Sequence, residues 1–370
     1  MSLITRIEVY KILIPLTEPF VISLGPVDNA ENVIVIIHTK DGLTGYGESS
    51  PYALINGETI DTCFIVAKYL GAALLHQNAL DPGACSQLMD KIIYGNTSIK
   101  SAFDIALYDI ASQHAGLPLY KYLGGSNNKI LTTDMTVSIG DPVKMQADAL
   151  KFKQQGFPAI KVKLGENKAS DILRIKMIRE AIGNEIPLRI DANQGWSTTD
   201  IAIDILRELA RYNIEHCEEP IPRWQFMELV KVSAASPIAI MADESCGDEH
   251  DAARLIQLNA CKMFNIKLGK SSGFFRAMKI INMAAEANMY LQIGGFMESR
   301  LGMTASAHLA LTDDCIVHCD FDTPLMFTED PVKGGMIYKE NGVIDIPDVP
   351  GLGAKIEERY LNKAERIILN

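Results

Sequence analysis

Four short stretches decide the fold: Ala159-Ile160-Lys161-Val162-Lys163, Pro187-Leu188-Arg189-Ile190-Asp191, Ile214-Glu215-His216-Cys217-Glu218 and Ile238-Ala239-Ile240-Met241-Ala242-Asp243. Each is a brief, largely apolar run that ends in a charged residue, and helical periodicity fills the gaps between them. Working outward adds Leu131–Ser138 upstream and Met263–Lys267, Met289–Ile293 and Ile316–Asp320 downstream. Eight strands, seven helical crossovers and a spacing of about 25 residues predict a parallel barrel. No room remains for an eighth full helix, so the class is α/β, a modified TIM barrel of (β/α)7β form. A doubly wound sheet would carry a Gly-rich fingerprint after an early strand, and none is present. Gly269-Lys270-Ser271 lacks the upstream glycine of a phosphate loop, because position 264 is Phe.

Residues 1–125 have a different rhythm and predict an α+β N-terminal capping domain. Ile4–Ile12 and Val33–Ile37 read as strands, Lys40-Asp41-Gly42 as a hairpin turn and Gly45-Tyr46-Gly47-Glu48 as the returning arm. Helical periodicity covers 58–76 and 99–114, and Gly116 and Pro118 stop the second helix. The barrel spans 126–322. The segment 323–370, rich in Pro and Gly over 324–353, is expected to pack back on the capping domain and complete it.

The composition is that of an ordinary globular chain of 370 residues, 48% apolar and 22% charged, which excludes disorder and low-complexity tails. A net charge of −11, with no basic block, argues against a nucleic-acid partner. The start Met1-Ser2-Leu3-Ile4-Thr5-Arg6, with Glu8 close behind, is not a signal peptide, and no run is long enough to span a membrane. Seven scattered cysteines without C-x-x-C spacing read as reduced thiols, so a cytoplasmic location is expected. Cys315, His318 and Cys319 lack a second ligand pair for zinc. Gly47-Glu48-Ser49-Ser50-Pro51 fails as a nucleophile elbow because Pro replaces the last Gly.

The strand ends carry Lys161 and Lys163, then Asp191, Glu218, Asp243, Lys267, and finally Asp320 and Asp322. From Lys163 to Lys267 the steps are 28, 27, 25 and 24 residues, each one βα unit. A barrel brings its C-terminal strand ends to one mouth, so three carboxylates should meet there between lysines. Such a set needs a hard divalent cation, Mg²⁺ or Mn²⁺, to offset its repulsion. Lys161 and Lys163 share one strand face, and neighbouring positive charge would favour a lysine pKa of roughly 7–8, suited to a general base. Lys267, on the sixth strand, lies across the barrel from the second. A metal between two bases describes proton abstraction beside a carboxylate, through an enediolate, with return from the other face: racemisation or epimerisation. Of the adjacent Glu218 and Glu219, one is expected to ligate the metal and the other to pair elsewhere.

The series Lys161-Val162-Lys163, Asp191-Ala192-Asn193, Glu218-Glu219-Pro220, Ala242-Asp243-Glu244-Ser245 and Asn265-Ile266-Lys267 resembles the enolase superfamily, more narrowly its muconate lactonizing enzyme subgroup. The resemblance extends over essentially the whole chain. It implies that Asp191, Glu218 and Asp243 hold one Mg²⁺ per subunit, with Mn²⁺ as a substitute, and that Lys163 and Lys267 are the paired acid/base catalysts. Lys161 would tune Lys163 and touch the substrate carboxylate; Asn193 would support the metal ligands. Asp320-Phe321-Asp322 is similar to the Asp-x-Asp pair with which dipeptide epimerases take the substrate ammonium. Members preferring an acidic second residue tend to carry an arginine after Pro19-Phe20, where this chain has Leu24 and Gly25. The resemblance therefore implies L-Ala-L-X dipeptides with a hydrophobic or aromatic X, with Ile22, Leu24, Ile55 and Met297 lining the pocket and Glu298 beside the substrate. Rival readings are an L-Ala-D/L-Glu epimerase, an N-acylamino acid racemase, an o-succinylbenzoate synthase, a cycloisomerase, or a barrel that binds a small peptide without turning it over. A homo-oligomer is the default assembly.

Overall fold

The structure is a computed structural model that describes residues 1–370. Its barrel strands are Met135–Val137, Ile160–Lys163, Leu188–Asp191, Ile214–Glu218, Ala239–Ala242, Met263–Ile266, Tyr290–Ile293 and Ile316–Cys319, adjacent in chain order within one sheet. A parallel bridge between Thr133 and Cys319 joins the first strand's approach to the eighth. Seven helices, from Pro142–Gln154 to Arg300–Leu309, make the crossovers. Their N-termini show the local logic of the chain: Asp141, Asn167, Thr198, Asp248 and Ser299 each accept a backbone N–H of the first turn. The first barrel strand is shorter than the sequence predicts. Leu131 and Thr132 leave the barrel to pair with Ile344 and Val343 in a small antiparallel sheet. Asp134, between the two pieces, is held instead by Arg189 Nη1 at 2.9 Å.

The capping sheet places Arg366–Leu369, Ile4–Ile22, Gly25–Thr39 and Thr44–Ser49 side by side. The last residues pair antiparallel with Ile7–Tyr10, so the C-terminal segment does complete this sheet. The first two strands form one long hairpin with Ser23-Leu24 at its turn, well beyond the expected Ile4–Ile12 and Val33–Ile37. Its outer half alternates less cleanly because it leaves the capping core for the barrel mouth. There Val21 N donates to Ser138 Oγ at 2.7 Å, and Ser23 Oγ donates to Asn193 O at 2.7 Å. The capping domain has its own core, with Ile7, Val35 and Ile37 packed under Phe64, Leu70 and Phe103. Helix Pro82–Ile92 has no counterpart in the sequence reading, although its cap Asp81 and first-turn Pro82 are standard start signals.

Gly45 and Gly47 have a steric reason. A Cβ at either would run into the carbonyl oxygens of Ala106 and Ala102 on helix Thr97–His114. Strand alternation then turns Tyr46 and Glu48 to the other face, toward the barrel. None of the helices is long and apolar enough to cross a membrane. All seven cysteines are free thiols.

His308 ties three parts of the chain together. Its Nδ1 accepts Tyr120 N at 3.2 Å, its Nε2 donates to Leu352 O at 3.1 Å, and its ring stacks on Tyr120. Burial holds this imidazole down at about 4, so it folds neutral. The unfolded chain binds the proton more readily, so His308 contributes stability above pH about 6.5 that is lost as the pH falls toward about 4. Urea midpoints measured across that window should therefore fall less steeply for His308→Gln than for the wild type. Parallel slopes would show that the ring carries no such linkage.

Candidate active site

Strand register assembles the mouth. Lys163 lies opposite Asp191 and Asp191 opposite Glu218, while Asp243 and Lys267 directly follow the fifth and sixth strands. Carboxylate oxygens of Asp191, Glu218 and Asp243 come within 4.8 Å of one another, and all three residues are fully buried. Three buried negative charges at that distance repel strongly in a poorly screened interior. Ammonium groups meet them from every side. Lys163 Nζ is 2.6 Å from Asp191 Oδ2; Lys161 Nζ is 3.2 Å from that oxygen and 2.7 Å from Glu218 Oε2. Lys267 Nζ is 2.7 Å from Asp243 Oδ2, and Lys270 Nζ is 2.6 Å from Asp243 Oδ1. Asn265 Nδ2 donates to the remaining oxygen, Glu218 Oε1, at 2.6 Å.

These contacts set the protonation of the site. Burial, reinforced by Asp191, pushes Glu218 up to about 7. Burial acts the same way on Asp243, but Lys267 and Lys270 override it and hold that carboxyl below its ordinary range. Lys161 departs from the expectation of a lowered lysine on the second strand: burial opposes its charge, yet Asp320, Glu218 and Asp191 more than offset that, and its pKa rises. Lys267 is raised in the same way by Asp243 and Glu218. The pairing of lysine with lysine in the sequence does not show that each ammonium rests on a carboxylate.

The acidic set contains oxygen donors only, with no sulfur or imidazole, and fits a hard cation of the Mg²⁺ kind. Such an ion would take over from the lysines the neutralisation of Asp191 and Asp243, leaving Lys163 and Lys267 free to face a substrate. Glu219 is committed elsewhere, as expected: its Oε2 accepts Asp243 N at 2.8 Å and Ser245 N at 3.1 Å, fixing the loop that carries Asp243.

Between the two lysines lies a cavity of about 50 Å³. Phe20, Ile22, Val27, Tyr52, Ile55, Phe296 and Met297 line it, with Lys163, Asn193, Lys267 and Gly295. Lys163 Nζ stands 5.9 Å from the Phe20 ring centre and Lys267 Nζ 4.9 Å from that of Phe296, so each base has an aromatic neighbour. Asn193 supports the ligands: its N–H donates to Asp191 Oδ1 at 2.9 Å and its Nδ2 to Glu244 Oε1 at 3.2 Å.

The other expected substrate contacts, Leu24, Gly25, Glu298, Asp320 and Asp322, differ in their placement. Leu24 and Gly25 are at the hairpin tip, outside the cavity lining, while Ile22 just before them lies within it. Glu298 turns into its own loop and accepts Phe296 N at 2.5 Å; burial pushes it up to about 7. Asp320 and Asp322 are unlike each other. Asp320 Oδ2 accepts Lys161 Nζ at 2.8 Å, and although burial opposes its charge, Lys161 and Lys163 bring it down to about 2. Asp322 instead accepts Thr136 N at 2.6 Å, and burial beside Asp320 raises it to about 7. The sequence reading gave no role to Phe20, Tyr52, Phe296, Asn265 or Lys270. Met297 and Glu298 mark this loop in the sequence, and Phe296 directly precedes them.

A second cluster, Glu215, His216 and His318, lies on the fourth and eighth barrel strands, with Glu215 exposed. Arg189 already serves it: Nη2 is 2.7 Å from His318 Nδ1 and Nε donates to Glu215 Oε2 at 2.8 Å.

A barrel capped by an α+β domain, with buried acids on three consecutive strand ends and lysines on either side, defines a metal-assisted enzyme of proton transfer. Residues 5–124 match the mandelate racemase/muconate lactonizing enzyme N-terminal domain, and 144–360 the enolase C-terminal domain-like family. The chain belongs to the enolase superfamily, in its mandelate racemase/muconate lactonizing subgroup, and is an isomerase. The D-Ala-D/L-Ala epimerase of Cytophaga hutchinsonii is 55% identical over 100% of both chains. A crystal structure of the dipeptide epimerase from that organism, with Mg and D-Ala-L-Val, superimposes with a TM-score of 0.98 over 100% of both chains. The L-Ala-D/L-Glu epimerase of Bacillus subtilis, in a substrate-liganded complex, is 38% identical, with a TM-score of 0.92 over 95% of this chain and 98% of that one.

Asp191→Asn and Glu218→Gln each remove a negative charge from the acidic set. Isothermal titration with Mg²⁺ should show at least about tenfold weaker binding for each, roughly 1.4 kcal/mol. Wild-type affinity in both variants would mean that the ion binds elsewhere.

Proposed function

We propose that the chain is a Mg²⁺-dependent dipeptide epimerase that inverts the α-carbon of the second residue of alanyl dipeptides with an apolar second side chain. The observation that carries this reading is the pair of lysines, Lys163 and Lys267, facing one small apolar cavity from opposite strands of the barrel. When bound, Mg²⁺ offsets the negative charge that grows on the substrate carboxylate as the α-proton leaves. One lysine, deprotonated, takes that proton from its own face of the α-carbon. The other, protonated, returns a proton from the opposite face, and the configuration inverts. Lys161 holds Asp320 and Glu218 in place, and its charge faces the carboxylate end of the substrate. Asp320, ionised and part-exposed, takes the free ammonium through a charge-assisted hydrogen bond. Asp322 braces the first barrel strand and leaves that task to Asp320.

The apolar preference rests on the cavity wall, which holds no cation apart from the two lysines. A glutamate side chain buried there would have no partner for its charge beyond the reacting groups, at a considerable cost. The name of the Cytophaga relative favours D-Ala at the first position over the L-Ala implied by the general resemblance.

The protein is incubated with Mg²⁺ in D₂O and pools of L-Ala-X and D-Ala-X dipeptides, and deuterium uptake is read by mass spectrometry. One added mass unit on dipeptides with apolar X, lost with EDTA, is the expected outcome. Uptake on the glutamyl dipeptide alone would overturn the apolar preference, and uptake on none would overturn the reaction. Lys163→Ala and Lys267→Ala should each abolish epimerisation, yet each should retain α-proton exchange of one epimer. Epimerisation surviving in both would defeat the two-base reading. Asp320→Ala should lower kcat/KM roughly ten- to hundredfold, the worth of one hydrogen bond to a charged group.

A further inference from the structure

The segment Gly47-Glu48-Ser49-Ser50-Pro51 fails as a nucleophile elbow, yet its side chains are spent on the active site. Glu48 is 2% exposed and lies at the end of a capping strand. Its carboxylate accepts four hydrogen bonds. Oε1 takes Asn32 Nδ2 at 2.7 Å and Ser299 N at 2.9 Å; Oε2 takes Ser299 Oγ at 2.8 Å and Gly302 N at 2.7 Å. Three of these donors open the barrel helix Arg300–Leu309, where a negative charge is favoured by the helix dipole. The same Asn32 Nδ2 donates to Met297 O at 2.8 Å, and Ser50 Oγ accepts Met297 N at 3.0 Å. The capping domain thus grips the loop that carries Phe296 and Met297 at Met297 itself and at Ser299. The loop also lies close on the helix that follows, where a Cβ at Gly302 would meet Glu298 Cγ at 2.7 Å.

The loop stands on one side of the reacting centre only. Phe296 is the aromatic neighbour of Lys267 and stacks on Tyr52, whereas Lys163 faces Phe20 on the hairpin. From this asymmetry we propose that Glu48 is a positioning residue for the Lys267 face of the active site. It acts through Ser299, Met297 and Phe296 and does not touch the substrate. The inference rests on the two-base reading above and adds a residue from the other domain to it.

Glu48→Gln keeps the shape but not the acceptors. Each carboxylate oxygen takes two donors, so the amide NH₂ confronts donors whichever way it turns. Exchange of the α-proton into D₂O is followed separately for each epimer, at saturating Mg²⁺. The epimer whose exchange disappears in Lys267→Ala defines the Lys267 face. On that face Glu48→Gln should lower the exchange rate at least about tenfold, and on the Lys163 face by less than about twofold. Asn32→Ala, which removes the bonds to Met297 O and to Glu48 Oε1 and leaves the helix donors alone, should lower the same rate by a smaller factor. It also decides the matter if Glu48→Gln does not fold. Equal losses on both faces would reduce Glu48 to a purely structural cap and overturn the proposal, as would unchanged rates on both. If the wild-type protein exchanges neither epimer, the two-base reading fails first and this inference with it. That result is distinguished from the others by the wild-type control alone.

Discussion

Three carboxylates buried within 4.8 Å of one another form the constraint on which the rest of the molecule depends. No fold tolerates that density of like charge without compensation, and here it comes from four lysines on the second and sixth strand ends and the turn after the sixth. Removing one member of such a buried set leaves its partner uncompensated, at a cost of about 3–5 kcal/mol. The arrangement therefore links stability to chemistry. Two of the ammonium groups that make the acidic cluster bearable, Lys163 and Lys267, are those we propose to exchange protons with a substrate. On that reading, a dication binding to the acids would change the protonation balance of those same lysines and couple metal binding to base activation.

The barrel and its acidic set were legible in the sequence because topology converts a linear rhythm into convergence. Once the strands are known to be parallel and about 25 residues apart, residues at their ends must meet, and Lys163, Asp191, Glu218, Asp243 and Lys267 do. What escaped the reading depends on partners distant in sequence. The outer half of the hairpin has no capping core beneath it and takes its bonds from Ser138 and the Asn193 carbonyl. Its apolar alternation is correspondingly weak. Phe20 and Phe296 read as ordinary apolar residues until the fold sets each beside a lysine. Asp320 and Asp322 look equivalent in an Asp-x-Asp pair, but both lie past the end of the eighth strand, where Asp320 meets Lys161 and Asp322 is tied to Thr136 N. The missed helix Pro82–Ile92 is a different case, since Asp81-Pro82 announced it and only the weak periodicity that follows concealed it.

Two cores and one site require a division of labour between the domains. The strand ends position the acids and bases: Asp191 sits in the ladder between Lys163 and Glu218, and Asp243 and Lys267 directly follow their strands. The surfaces that touch a side chain come from elsewhere: Phe20 and Ile22 from the hairpin, Tyr52 and Ile55 from the turn after the third capping strand, Phe296 and Met297 from a barrel loop. Proton transfer tolerates little displacement of the bases, while substrate choice depends on the shape of the wall. Placing the two functions on separate elements lets the wall change without disturbing the acids.

That separation has a physical price in registration, because a wall assembled from two domains is only as well placed as the contacts between them. Gly45 and Gly47 let the third capping strand sit directly on its helix, and this turns Glu48 toward the barrel. Its carboxylate then bonds donors that open the barrel helix after the seventh strand, so the inter-domain contact falls one residue from the loop that faces Lys267. The other side is registered at the hairpin, where Val21 N donates to Ser138 Oγ, Val21 O accepts Ile139 N at 2.9 Å and Ser23 Oγ donates to Asn193 O. The two faces of the reacting centre are thus registered by different means: a buried, four-bonded carboxylate of the capping domain on the Lys267 side, and backbone and hydroxyl bonds to the hairpin that carries Phe20 and Ile22 on the Lys163 side.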